Sequence, residues 1–464
     1  MATQGPAKYS PDERPSETYE DILRRDTRQA PAFLFQGPTP DLGLEAVAAS
    51  RYFDPAFFQL EVEHVWSRVW QMACREEDIP NVGDYHIYQN VGRSLIVVRS
   101  APDTIQAFHN VCLHRGRKLV THNGNKTEFR CPFHGMTWAC SGALKENPIA
   151  WDFPQLRDKN MSLPDAQVGR WGGFVFINLD KNAPPIETVL GPIPEHFAAY
   201  DVAGRYKAAH VVRAMPCNWK VAAEAFMESH HTVTTHPQLL PWLGDVNSQY
   251  DVLTDYVTRQ FSAAGVASPF VADENYDEAA ILRAVAGNTS RTAGAKGAQL
   301  PDGMTARAYM AEMTRTRLAE ADGRDYGSAS DAEMLDPLLY NVFPHFSVWA
   351  GYAPTLVYRW RPEGMNPDRC LMDVMILRPI PEGAPRPPSA PLHTLTESEN
   401  WNDATELGGL AGVLEQDMAN LPFVQEGLKA SANNLVHFSS YMELRIRQLH
   451  RMLDRYIGAA AATR

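Results

Sequence analysis

The stretch Cys112-Leu113-His114-Arg115-Gly116, answered after fourteen residues by Cys131-Pro132-Phe133-His134-Gly135, decides how this chain is read. Each half offers one thiolate and one imidazole. Together Cys112, His114, Cys131 and His134 are the ligand set of a Rieske [2Fe–2S] centre, with two sulfurs on one iron and two imidazoles on the other. Two cysteines and two histidines also make a zinc set, but the zinc-finger spacing is C-x2-C…H-x3-H. Here every cysteine has its own histidine. Gly116, Pro132, Gly135 and Ser141-Gly142 suit two tight loops closing over a cluster. Trp138 and Phe133 are expected to form an apolar shell around it.

Around that stretch lie 464 residues, 44% hydrophobic and 21% charged, enough for two to three globular domains. The net charge of −12 argues against nucleic-acid binding and against docking on an anionic membrane. Besides the two cluster thiols there are Cys74, Cys140, Cys217 and Cys370, without a disulfide-framework spacing, which points to a reducing compartment. The first residues are too polar for a signal peptide, and no apolar run approaches the roughly eighteen residues of a membrane span. A cytoplasmic location is expected.

Periodicity divides the chain into residues 1–74 (an arm and helices), 75–180 (a small β-rich domain with the Cys-His loops at its tip) and 181–464. In the first part, 57–70 reads as an amphipathic helix. In the second, 85–89, 94–99, 104–110 and 171–179 read as strands. Residues 182–194 are a Pro-rich linker. The third part predicts a strand at 206–216, a helix over 218–236, and an Ala-, Gly- and Thr-rich excursion at 262–335 with helices near 278–286 and 306–321. Strands at 346–352, 355–361 and 369–378, a Pro-rich loop at 379–391 and a helix over 436–457 complete it.

A second concentration of chemistry is Asn218-Trp219-Lys220…Glu224…Glu228-Ser229-His230-His231…His236-Pro237. Residues five apart on a regular α-helix point about 140° from one another, so His231 and His236 cannot share a metal on an unbroken helix. Pro237 pushes His236 out of the helical region and removes that obstacle. A carboxylate would complete a two-His-one-carboxylate triad, the mark of non-haem Fe(II) oxygenases. Asp417 in Leu414-Glu415-Gln416-Asp417 is the first candidate and Glu415 its rival.

These pieces together resemble the catalytic α subunits of Rieske non-haem iron oxygenases, from about residue 53 to residue 455. The resemblance implies an α+β chain with a Rieske domain and a helix-grip catalytic domain, an antiparallel sheet flanked by helices. It implies mononuclear Fe(II) on His231, His236 and Asp417, with Asn218 and Glu224 as supports that orient the ligands. Many members carry an aspartate between the cluster histidine of one subunit and an iron-ligand histidine of the next. Glu228 stands there in this chain, as in the carnitine- and choline-oxidising branch, and would bridge His134 to the neighbour's His231. Ser229-His230 replaces a frequent Cys-Tyr.

The implied protein is a terminal oxygenase taking electrons from NAD(P)H through a separate reductase, with or without a ferredoxin. A homotrimer or a multiple of trimers is expected. The reaction would be hydroxylation, dihydroxylation or demethylation of a small molecule, with aromatic hydrocarbon catabolism as its setting. Leu239, Leu240, Trp242, Phe346 and Trp349 are candidate pocket residues and favour an apolar aromatic or alicyclic substrate. Two other readings stay open: an oxygenase of quaternary ammonium compounds, and a Rieske electron carrier without oxygenase activity.

Overall fold

The computed structural model describes residues 14–271, 276–286 and 299–461. Part of the expected N-terminal arm (1–13) and part of the excursion (272–275 and 287–298) lie outside the described residues. A seven-stranded sheet carries Gln71–Arg75, Phe174–Asn178, Asp165–Trp171, Thr104–His109, Arg93–Ala101, Asp84–Asn90 and Gly124–Asn125, in that spatial order. A three-stranded sheet, Glu128–Arg130, Thr137–Ala139 and Leu144–Glu146, projects the second Cys-His loop.

The larger, eight-stranded sheet runs Leu243–Val252, Val257–Ala264, Leu338–Val342, Phe346–Ala350, Thr355–Glu363, Asn366–Arg378, Tyr206–Met215 and His393–Thr394. All its pairings are antiparallel except that of His393–Thr394 with Tyr206–Met215. Both faces of this sheet are covered, so its central strands read as apolar runs instead of alternating patterns. Val357, Met375 and Leu377 face a core shared with Phe174, Phe176 and Met72 of the seven-stranded sheet. Tyr358, Trp360, Val374 and Ile376 face helices Pro55–Leu60, Trp219–Glu224, Leu410–Met418 and Leu444–Ala461 through Phe58, Trp219, Leu414 and Leu449. The chain is thus α+β, with helices gripping one face of an antiparallel sheet.

Several expectations change. The 57–70 helix is α-helical only over Pro55–Leu60, widens to a π-turn over Glu61–Val65, and gives way to strand Gln71–Arg75. Glu61 turns inward there to pair with the equally buried Lys220 at 2.6 Å, a tertiary contact invisible to periodicity. The strand read at 171–179 is a hairpin, because Gly172 and Gly173 both take positive φ (58° and 77°) and turn the chain. The 182–194 linker folds: Ile186, Val189, Leu190 and Ile193 bury against the shared core from two short helices. The C-terminal helix begins at Leu444, not 436. Leu435–Val436 pairs with Val47–Ala48, and reciprocal bonds between Ser439 and Glu443 form the turn that leads into the helix.

His345 joins the two large sheets. Its Nδ1–H donates to the Trp360 carbonyl and its Nε2 accepts the Met72 N–H, both at 3.1 Å. Burial, then the Arg359 charge, push its pKa down to about 3. The folded state therefore binds fewer protons here than the unfolded chain. Its contribution is full above about pH 6.5 and is lost as pH falls towards the folded value. Acidification from pH 6.5 to pH 4 is expected to cost up to about 3 kcal/mol at this joint. Denaturant midpoints across that range should flatten in His345→Gln if the joint is the cause.

Candidate metal centres

The two Cys-His loops have the same backbone design. Cys112 N–H donates to the Arg117 carbonyl and Cys131 N–H to that of Met136, both at 2.8 Å. Gly116 and Gly135 each return an N–H to the cysteine carbonyl at 3.0 Å, with φ of +75° and +80°. A side chain is strained at both positions whatever the space around it. The result sets two buried cysteines opposite two histidines whose rings lie 4.7 Å apart. His134 is exposed and His114 partly so. Two buried sulfurs and two outward imidazoles fit the asymmetric ligand set of a Rieske cluster.

Trp138 is fully buried and donates its indole N–H to the Met161 carbonyl at 2.8 Å. Phe133 is not part of the apolar interior. It is 55% exposed, leans on His134 with ring centroids 3.8 Å apart, and carries the Arg115 guanidinium over its ring.

The 218–236 segment is not one helix. Asn218 caps Trp219–Glu224 through the Lys220 N–H, and the chain then leaves helical geometry until Thr232–Thr235. Ser229 fixes the break. Its N–H reaches the Tyr250 hydroxyl, and its Oγ bonds Tyr250, Ser248 and the Asp245 carbonyl on strand Leu243–Val252. The Glu228 carboxylate starts the next turn by accepting the His231 N–H at 3.0 Å, while its other oxygen holds His231 Nδ1 at 2.6 Å. His236 sits just past the helix with φ −126° and ψ 54°, before Pro237.

That break brings one ligand atom each of His231, His236 and Asp417 within 4.8 Å of one another. Asp417 Oδ1 lies 3.0 Å from His236 Nε2 and 3.6 Å from His231 Nε2. Helix Leu410–Met418 separates the rivals, because residues two apart diverge by about 200°. Asp417 points to the histidines, whereas Glu415 pairs with Arg213 at 2.7 Å and accepts the Trp401 N–H. Two imidazoles and one carboxylate, each Nδ1 occupied and each Nε2 turned inward, fit a ferrous ion with open positions.

The groups holding the two histidines differ. Burial disfavours charge on His231, but Glu228 and then Asp417 keep its pKa above the ordinary value. His236 Nδ1 instead meets the neutral Gln416 amide oxygen at 2.9 Å, and Gln416 and Gln238 clasp each other through both amides. Neither glutamine was singled out from sequence; Gln416 was visible only as the neighbour of Asp417. Gln416→Leu is expected to weaken metal retention by about 10–100-fold, read as iron lost on dialysis against a chelator with the cluster spectrum unchanged.

Asn218 and Glu224 do not touch the histidines as expected. Asn218 Nδ2 donates to the Pro367 carbonyl, and Glu224 bonds the Tyr52 hydroxyl and His450. They brace the helix leading into the site. Of the pocket candidates, Phe346 lies on the opposite sheet face, with its ring against Phe174 and Phe176. Trp242 is core to the excursion helices beside Leu282 and Met310, with Leu239 packed on the same cluster, and Leu240 is buried nearby in sequence. Trp349 is on the helix-bearing face and belongs to an aromatic group with Tyr358, Phe226 and Trp360.

The model of the ring-hydroxylating alpha subunit catalytic domain matches residues 197–459, and that of the Rieske [2Fe-2S] domain matches 69–156. The chain belongs to the ring-hydroxylating alpha-subunit family. Both cofactors of that family, a Rieske [2Fe–2S] cluster and non-haem iron, have a domain here. The chain is 30% identical over 207 residues to the glycine betaine monooxygenase oxygenase subunit of Pseudomonas aeruginosa (44% of this chain, 47% of the relative). It is 34% identical over 221 residues to the chlorobenzene dioxygenase subunit alpha of a Cupriavidus strain (46% and 49%). The matched stretches span about half the length of these relatives. A quaternary ammonium Rieske monooxygenase structure shares the fold at TM-score 0.62 and 19% identity, covering 91% of this chain and 99% of that one. Among the described residues, no helix is long and apolar enough to cross a membrane.

Proposed function

We propose that the protein is a terminal oxygenase that inserts oxygen from O2 into a small organic molecule with electrons from a separate reductase. The observation that carries this is the convergence of His231, His236 and Asp417, with Glu228 on the outer nitrogen of His231. When bound, the cluster supplies single electrons and the ferrous ion supplies O2 activation. Glu228 fixes the His231 tautomer from a mostly buried position, its side chain 11% exposed against 26% for His231. His134 is exposed at the cluster end. His134 and, in part, His231 thus reach the outside of the chain, which favours transfer from His134 of one copy through Glu228 to His231 of the next, in a trimer. Gln416 and Gln238 hold His236 in register, and Asp417 would hold the ferrous ion and offset part of its charge.

The substrate proposed first is an apolar aromatic or alicyclic compound, with Trp349, Tyr358 and Phe226 as its wall. The same aromatic faces suit a quaternary ammonium cation, and the likeness to a glycine betaine enzyme supports that second reading. The test is iron content followed by a product screen with surrogate reductase, NADH and O2. About three irons per chain and an oxygenated product support an oxygenase. Two irons per chain and no product would leave only an electron carrier. Chlorobenzene-type and betaine-type substrates form the two arms of the screen.

A further inference from the structure

On the cluster domain, between strand Leu144–Glu146 and the segment that follows it, lies a recess of about 330 Å3. Two single turns, Ala150–Asp152 and Pro154–Leu156, contribute to it, and the chain comes back past it through residues 157–162. Its larger apolar lining residues are Met136, Leu144, Phe153, Leu156 and Met161. That volume is at the lower end of the range for small-molecule sites, whose usual make-up is an apolar lining with a few polar groups. The recess shares no residue with the histidine–aspartate centre, and His134 does not line it.

Its polar rim is rich in donors. Asn147, Arg157, Lys159, Asn160 and Ser162 line it, and among the described residues no carboxylate does. Arg157 and Lys159 are exposed and make no ion pair among the described residues. The neighbouring carboxylates in sequence, Asp152 and Asp158, are exposed and outside the lining. Each asparagine uses its side-chain oxygen on its own turn: Asn147 Oδ1 accepts the Ile149 N–H at 3.4 Å, and Asn160 Oδ1 accepts the Ser162 N–H at 3.0 Å. What those side chains still offer is NH2, a donor. Cations and amide donors around an apolar floor select a negative charge on an apolar body. A bare anion would gain nothing from the floor, and a neutral ring nothing from the cations. Two methionine side chains and the Phe153 ring suit a flat aromatic face.

Three of the lining residues also hold the cluster loops. The Phe153 ring stands edge-on to His114, with centroids 5.4 Å apart. The Met136 carbonyl accepts the Cys131 N–H, and the Met161 carbonyl accepts the Trp138 indole N–H, both at 2.8 Å. A negative charge paired with Arg157 and Lys159 removes positive potential from beside these loops, and so favours the more positive, oxidised state of a cluster held there. Net charge and solvent exposure are two of the quantities that set the potential of such a cluster.

We propose that this recess binds an aromatic carboxylate, its ring against Phe153, Leu156 and the two methionines and its carboxylate on Arg157 and Lys159, and that occupancy lowers the reduction potential of the cluster. The binding stands on the recess alone, whereas the potential shift rests on the Rieske reading. A filled recess makes the cluster harder to reduce, so the ligand acts as a brake on electron supply without entering the iron centre.

Calorimetric titration of the iron-loaded full chain with benzoate, benzamide and acetate, at matched ionic strength, tests the binding. A redox titration followed by the cluster's visible absorbance, with and without saturating benzoate, tests the coupling. The expected results are a saturable site for benzoate, about tenfold or more tighter than for benzamide or acetate, and a lower midpoint potential when it is filled. The paired change Arg157→Gln with Lys159→Gln, on two exposed side chains, should weaken benzoate binding by about tenfold or more and abolish the potential shift. Lys126→Gln, on an exposed cation of the same domain outside the recess, and Asp417→Ala, at the other metal centre, should leave both intact. No saturable benzoate binding, benzamide or acetate binding as tightly, or binding untouched by the paired change would overturn the site, and an unmoved potential at saturation would overturn the coupling. A chain without the cluster's visible spectrum would contradict the Rieske reading and with it the coupling, while the binding titration still decides the site.

Discussion

Asp417→Ala is expected to lower the iron content from about three to about two atoms per chain and to reduce O2-dependent product formation by more than about 100-fold. Asp417 is the only carboxylate within reach of both histidines among the described residues, and it is buried at 6% exposure. Two neutral imidazoles alone hold ferrous iron weakly and leave its charge uncompensated. The cluster, held by loops on the other domain, should keep its visible spectrum. Glu415→Gln is the control: it breaks the half-exposed pair with Arg213, costs about 1 kcal/mol or less, and leaves the iron in place. Equal loss of iron in both variants would mean that the helix, not the ligand, had been damaged.

Glu228→Gln is expected to lower turnover by about 10–100-fold while most of the mononuclear iron is retained. The amide can still accept one of the two hydrogen bonds from His231, so the turn survives. It cannot supply the negative charge that keeps the His231 pKa raised, and its NH2 faces a donor where the carboxylate faced one with a lone pair. Glu228→Asp should recover part of the activity if reach, and not charge alone, matters. Normal turnover in Glu228→Gln with both irons present would remove the residue from the electron route.

The fold was legible where local chemistry dominates. The paired Cys-x-His and Cys-x2-His loops need glycine at +75° and +80°, and a sequence shows glycine directly. Pro237 announced that His236 would leave the helix. The break at 225–231 was not legible, because Ser229 makes it by bonding to Tyr250 and Ser248, residues on a strand some twenty positions away. Gln416 and Gln238 escaped for the same reason: an amide pair across 178 residues leaves no spacing. Phe346 misled because an aromatic residue on a strand buried on both faces carries no mark of which face it takes. Asp417 stood ahead of Glu415 in the sequence reading, and the structure adds the reason Glu415 is turned away, its pairing with Arg213.

Single-turnover reoxidation of the chemically reduced protein tests the central claim most directly. The parent chain and Glu228→Gln with both metal sites filled, and Asp417→Ala with its cluster alone, are reduced by dithionite, freed of reductant, and mixed with O2 and a substrate found in the screen, while the cluster's visible absorbance is followed. Fast reoxidation with product formed in step is expected for the parent chain, and reoxidation slowed by about 10–100-fold in both Glu228→Gln and Asp417→Ala. Reoxidation at the same rate in all three proteins would show that the cluster's electrons do not pass through Glu228 and His231 to the histidine–aspartate centre.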